Sequence, residues 1–118
     1  MGARTTWAIK TEVGDAVTWL YSHWGGDSKF SDTRSALAEA EPRWTDTPYG
    51  ARIFISQIVG DSWNTETGYG ITTGNQFENP FEEEYTPVLV DFTTRTIYYG
   101  DIPLSFSEFV HTSEIMAS

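Results

Sequence analysis

Asp46-Thr47-Pro48-Tyr49-Gly50-Ala51-Arg52-Ile53-Phe54-Ile55-Ser56-Gln57-Ile58-Val59-Gly60 is the stretch whose conformation separates the competing folds. The run over 52–58 suits a β-strand, because branched and aromatic side chains pack well on a pleated surface. Its two ends suit a helix. Asp46 or Thr47 is an N-cap residue type, and Pro48 fits the first helical position, where a missing N–H costs no intrahelical bond. Gly60 is a stop signal. The spacing predicts a helix over 47–59. Ala51, Ile53, Phe54, Ile55, Ile58 and Val59 place apolar side chains nearly all round it, the pattern of a central buried helix.

Upstream, residues 5–10 alternate Trp7 and Ile9 on one face, and residues 16–23 alternate Val17, Trp19, Tyr21 and His23. Val13-Gly14-Asp15 supplies the turn between them, so the two form a hairpin. Aromatic residues occupy both of its faces. One face meets helices, and the other is partly covered by loops or a partner. A second, peripheral helix is expected over 31–40, capped by Ser31 or Asp32, stapled by Phe30 and stopped by Pro42. Glu39 and Glu41 give it an acidic flank.

Downstream, 61–84 is polar and aromatic, with a short strand candidate at 69–73 and a long acidic, aromatic loop at 75–84. Residues 86–92 and 95–99 form a hairpin around Thr93-Thr94, and 102–106 extends the meander. Ser105 or Ser107 caps a short helix through Glu108, Phe109 and Val110. The expected fold is α+β: a single antiparallel sheet, made of the N-terminal hairpin and the C-terminal meander, packed against two helices. One domain over 1–118 accounts for the chain, with a frayed tail from about 112.

Composition sets the functional frame. Seventeen acidic residues against seven Lys and Arg give a net charge of −10. Such a surface repels phosphates and anionic membranes over roughly 8 Å, which argues against direct nucleic-acid or membrane binding. It is drawn instead to a basic protein groove. The chain has no cysteine, so disulfides and thiolate metal sites are out. Residues 1–10 contain no apolar run of the signal-peptide kind, and the expectation is a cytoplasmic protein.

Leu20-Tyr21-Ser22-His23-Trp24-Gly25-Gly26 is the densest candidate site: a strand runs into a His-Trp pair and breaks on two glycines. It reads either as a strand end packed on its own turn or as a binding site. His23 and His111 lack metal-ligand spacing, and the Glu82-Glu83-Glu84 run lacks the spacing of a calcium loop. No hydrolase elbow, phosphate loop or dinucleotide motif occurs, so no cofactor is expected.

Tyr21-Ser22-His23-Trp24-Gly25-Gly26, Ala51-Arg52, Gly68-Tyr69-Gly70, Val90-Asp91-Phe92 and Ser107-Glu108-Phe109 together resemble small acidic bacteriophage accessory proteins with a His-Trp-Gly type motif. Members of that class carry no assigned activity. The resemblance implies a viral protein working in the host cytoplasm on host machinery, including restriction and CRISPR systems.

The expected function is non-catalytic inhibition of a host defence factor by contact. In that reading Phe77 and Phe81 anchor in pockets of a basic partner, while Glu78, Glu82, Glu83 and Glu84 steer the approach. A first alternative is a sponge for a nucleotide signal. Trp24, Trp44, Tyr49 and Tyr69 would then stack a base, and Arg43, Arg52 or His23 would answer its phosphates. An ion pair on the central helix is the structural alternative for Arg52. A second alternative is a small hydrolase of unknown substrate.

Overall fold

The computed structural model describes residues 5–23, 28–81, 86–100 and 102–112. Six strands form one sheet: β1 (Thr5–Lys10), β2 (Ala16–Ser22), β3 (Tyr69–Asn75), β4 (Val88–Asp91), β5 (Thr96–Tyr99) and β6 (Ile102–Ser105). Their order across the sheet is β3-β2-β1-β4-β5-β6. Three helices accompany it, α1 (Lys29–Glu39), α2 (Thr47–Val59) and α3 (Phe106–Val110).

The α+β class stands, with a change at the centre. The N-terminal hairpin and the C-terminal meander meet along a parallel pair, β1 with β4, in the register Trp7 opposite Val88 and Ile9 opposite Val90. The sheet is therefore mixed rather than antiparallel throughout. All its other pairs are antiparallel. Long crossovers are what parallel neighbours require, and the chain between β1 and β4 contains both long helices.

Alternation assigns the two faces. Trp7, Ile9, Leu20, Val88, Val90 and Ile97 share the face under the helices, where Leu37, Phe54, Phe92, Phe106 and Phe109 complete the core. Ala8, Val17 and Trp19 lie on the opposite face and form a second, smaller cluster closed by Phe81 and Leu89. A loop thus covers that face in part, as the aromatic residues on both sides of the first hairpin implied.

The helix over 47–59 is present. Asp46 occupies the N-cap position, Pro48 lies in the first turn, and Gly60 ends the helix with φ 59°. It is not buried all round. Gly50, Ala51, Phe54, Ile55 and Val59 face inward, Arg52 and Gln57 are exposed, and Ile53 and Ile58 are half-buried. α1 starts earlier than the 31–40 expectation, with Ser28 at its N-cap, so Phe30 lies inside the first turn instead of stapling from outside. There it packs edge-on against Tyr99 and Phe109. Glu41 falls in a separate 3-10 turn, Glu41–Arg43, not on the helix. Thr33, Ala36, Leu37 and Ala40 are buried, and three of these four are small, which lets α1 approach closely.

The expected short helix is α3. Ser105 Oγ accepts from Glu108 N–H, and the Glu108 carboxylate accepts from Ser105 N–H, a complete capping box. Trp24, Gly25, Gly26, Glu82, Glu83, Glu84 and the expected tail beyond 112 lie outside the described residues. Among the described residues no helix is long and apolar enough to cross a membrane.

Candidate functional site

α2 stops at Gly60 and the chain makes a 3-10 turn, Gly60–Ser62, before reaching Trp63. The return to the sheet is set by Thr65 and Gly68. Thr65 Oγ1 lies 2.8 Å from Ser62 O and 3.0 Å from Thr67 O, one hydroxyl donor shared between two carbonyls. Gly68 adopts φ 104°, a conformation that side-chain-bearing residues avoid. Its carbonyl accepts the His23 N–H at 2.8 Å, which zips the loop onto the end of β2 and launches β3.

This connection walls a cleft of about 160 Å³ on the helix face, at the β3 side of the sheet. Buried Leu20 and Val59 line it together with Tyr69, and Trp63, Ile71 and three hydroxyl residues complete the wall. Trp63 and Ile71 remain 53% and 55% exposed. Large apolar side chains in that state mark an interaction surface more often than a lone exposed leucine does. Exposed carboxylates Asp61 and Glu66 belong to the same connection. Nothing cationic lines the cleft among the described residues.

Size decides what fits. Cavities of roughly 150 Å³ take one benzene-sized group, whereas small-molecule sites usually run from about 300 Å³ upward. The cleft suits a single side chain of a larger ligand.

The sequence-based site residues are distributed over the molecule rather than gathered. Tyr69 lines the cleft from β3, while Tyr49 stands in the first turn of α2 beside Arg43, whose guanidinium lies 5.1 Å from its ring centre. Val59, at the cleft, is ten residues along α2 from Tyr49, about 15 Å at the helical rise. Trp44 is committed to the interior: its indole N–H donates to Leu37 O at 2.9 Å and its ring meets Phe106. Arg52 is exposed on α2, and Arg43 pairs with Asp46 at 3.4 Å. The described members of the expected base-stacking set, Trp44, Tyr49 and Tyr69, are thus held apart.

His23 lies on the opposite face, half-buried, with its Nδ1 3.1 Å from Tyr21 Oη. Phe81 stacks on Tyr21 with ring centres 4.8 Å apart, so it closes the smaller cluster and is not a free anchor. Phe77 is free, at 76% exposure. Asparagine side chains shape this loop: Asn75 Oδ1 accepts from Phe77 N–H and Asn79 Oδ1 from Phe81 N–H. Glu78 is exposed beside Phe77.

Trp63, Ile71 and the hydroxyl loop were not among the residues read from sequence as a site. The signal was there in part, since Trp63 stands in a polar stretch with no periodic partner. What hid Ile71 was the short strand assignment, which says nothing about a strand's place in the sheet. Compared with protein-family models, with curated proteins and with solved structures, the chain matches none.

Proposed function

We propose that this protein acts by contact, as a non-catalytic binder of a basic partner protein. The observation that carries the reading is an acidic surface interleaved with exposed apolar side chains. The net charge is −10, and among the described residues the exposed acids outnumber the exposed cations Arg43, Arg52 and Arg95. Glu12, Asp15, Asp32, Glu39, Asp61, Glu66 and Glu78 are exposed, and Phe77, Trp63 and Ile71 stand out among them. Desolvated apolar anchors supply most of an interface's energy, while rim charges chiefly set the association rate. The resemblance to small acidic phage proteins adds a setting, in which the partner is a host defence factor with a cationic groove. The nucleotide-sponge reading draws less support, because the cleft is small and has no lining cation among the described residues.

Affinity capture from a bacterial host lysate, with mass spectrometry and nucleotide analysis of one eluate, tests the proposal. A basic protein should be recovered in stoichiometric amount and lost at about 0.5 M salt, where charges are screened within a few Å. Reversal of Glu78, Glu82, Glu83 and Glu84 to lysine should slow its association. A nucleotide recovered without protein, or capture indifferent to charge reversal, would overturn the reading.

A further inference from the structure

The two edges of the sheet are not alike. β6 is four residues long and contains Pro103, two devices that discourage edge pairing. β3 is seven residues long, Tyr-Gly-Ile-Thr-Thr-Gly-Asn, with neither a proline nor a charge. It pairs with β2 along its whole length, its last five residues are exposed, and no strand among the described residues pairs with its outer side.

Two hydrogen bonds give the phase of that outer side. His23 N–H donates to Gly68 O and Gln76 N–H donates to Asp15 O, so the pairs 23–68 and 15–76 are both hydrogen-bonded pairs. In an antiparallel ladder such pairs alternate. Residues 68, 70, 72, 74 and 76 therefore spend their backbone groups on β2, and those of Tyr69, Ile71 and Thr73 point outward. The same three residues carry their side chains on the helix face, where Tyr69 and Ile71 line the cleft.

We propose that the outer edge of β3 is a docking strand for an extended segment of the basic partner, in which apolar and cationic residues alternate. The inference rests on the partner-binding reading above and names its site. Main-chain bonds from Tyr69, Ile71 and Thr73 hold the added strand, as in other edge-addition complexes. Every second side chain of that strand falls on the helix face, where one apolar group fills the 160 Å³ cleft against Trp63. Exposed Asp61 and Glu66 precede β3 in the chain and exposed Glu78 follows it, so the charge around the edge favours a cationic segment over an acidic one. A second copy of this chain is the competing occupant, but two edges at −10 each repel, and both bring acids to the same rim.

The test uses a synthetic peptide of alternating valine and lysine about as long as β3, with its valine–glutamate counterpart as control. Titration followed by amide NMR should show exchange protection at Tyr69, Ile71 and Thr73, with the glutamate peptide binding at least about tenfold more weakly. Thr73→Pro removes an outward N–H and leaves the β2 ladder intact; it should weaken binding about tenfold, as should Trp63→Ala. N-methylation along one edge of the peptide should abolish binding while methylation along the other does not, a result independent of any protein variant. Absence of binding at millimolar peptide, or equal loss with both methylation patterns, would overturn the proposal. A doubling of molar mass with concentration that Thr73→Pro removes would assign the edge to a second copy instead. Capture of a basic host protein equally by the parent and by Thr73→Pro would overturn the edge site alone and leave the partner-binding reading standing.

Discussion

Gly50 sits in the first turns of α2, where alanine would be the better helix former. Packing forbids it. A Cβ there would lie 2.6 Å from Arg43 O and 2.9 Å from the Phe92 ring. Gly50→Ala should therefore destabilise the protein by about 1–3 kcal/mol, the range for overpacked sites, measurable by chemical denaturation. Trp7 poses the opposite case. Its indole N–H donates to Thr33 Oγ1 at 3.0 Å, and that hydroxyl donates on to Lys29 O at 2.6 Å. Thr33→Val keeps the shape and strands a buried N–H, at a cost of about 1–3 kcal/mol, whereas Thr33→Ser should recover most of it. Neither role is visible in sequence, because each depends on an atom contributed by a distant element. Tyr99 gives a pH signature. Burial raises its hydroxyl above the ordinary value of 10.0. The folded state thus holds that proton more tightly than the unfolded chain, so the associated stability is complete below pH 10 and is lost as pH climbs past it. Tyr99→Phe should flatten that alkaline fall in melting temperature, relative to the parent, while leaving the acid limb alone.

Among the elements, those with chemical punctuation were legible. α2 is framed by Pro48 and Gly60, and α3 by its Ser105/Glu108 box, so both were read close to their true bounds. Ser105→Ala should cost about 1 kcal/mol and loosen the Phe106 and Phe109 contacts, seen as faster amide exchange in α3. The start of α1 was read three or four residues late because Ser28, its N-cap, makes no side-chain bond to the helix backbone and shows no capping signature. The parallel seam was not legible at all. A period of two tells which face a side chain takes, and it is silent on which strand lies alongside. Amide exchange should rank the strands by position: slowest in β1 and β4, the central pair of the six, and fastest in the edge strand β3. Equal protection across the sheet would contradict that order.

At the scale of the whole molecule, charge and shape pull apart. Exposed acids outnumber exposed cations among the described residues and the net charge is −10, so the folded state carries self-repulsion that dissolved salt relieves. Raising ionic strength from about 10 to about 150 mM shortens the Debye length from roughly 30 to 8 Å and should raise the melting temperature. The same change should weaken capture of a basic partner, so fold and binding respond to salt with opposite signs. The sequence disclosed the total charge but not its distribution, which depends on where the elements place each carboxylate.

The seam between β1 and β4 also has a consequence for biosynthesis. A ribosome releases β1 long before β4, and until residues 88–91 emerge the strand that becomes the centre of the sheet has one flank open. Trp7 and Ile9, buried beside Val88 and Val90 in the finished protein, spend that interval without their partners. Translation speed between residues 23 and 91 therefore governs how long an apolar, half-paired hairpin is presented to chaperones and proteases.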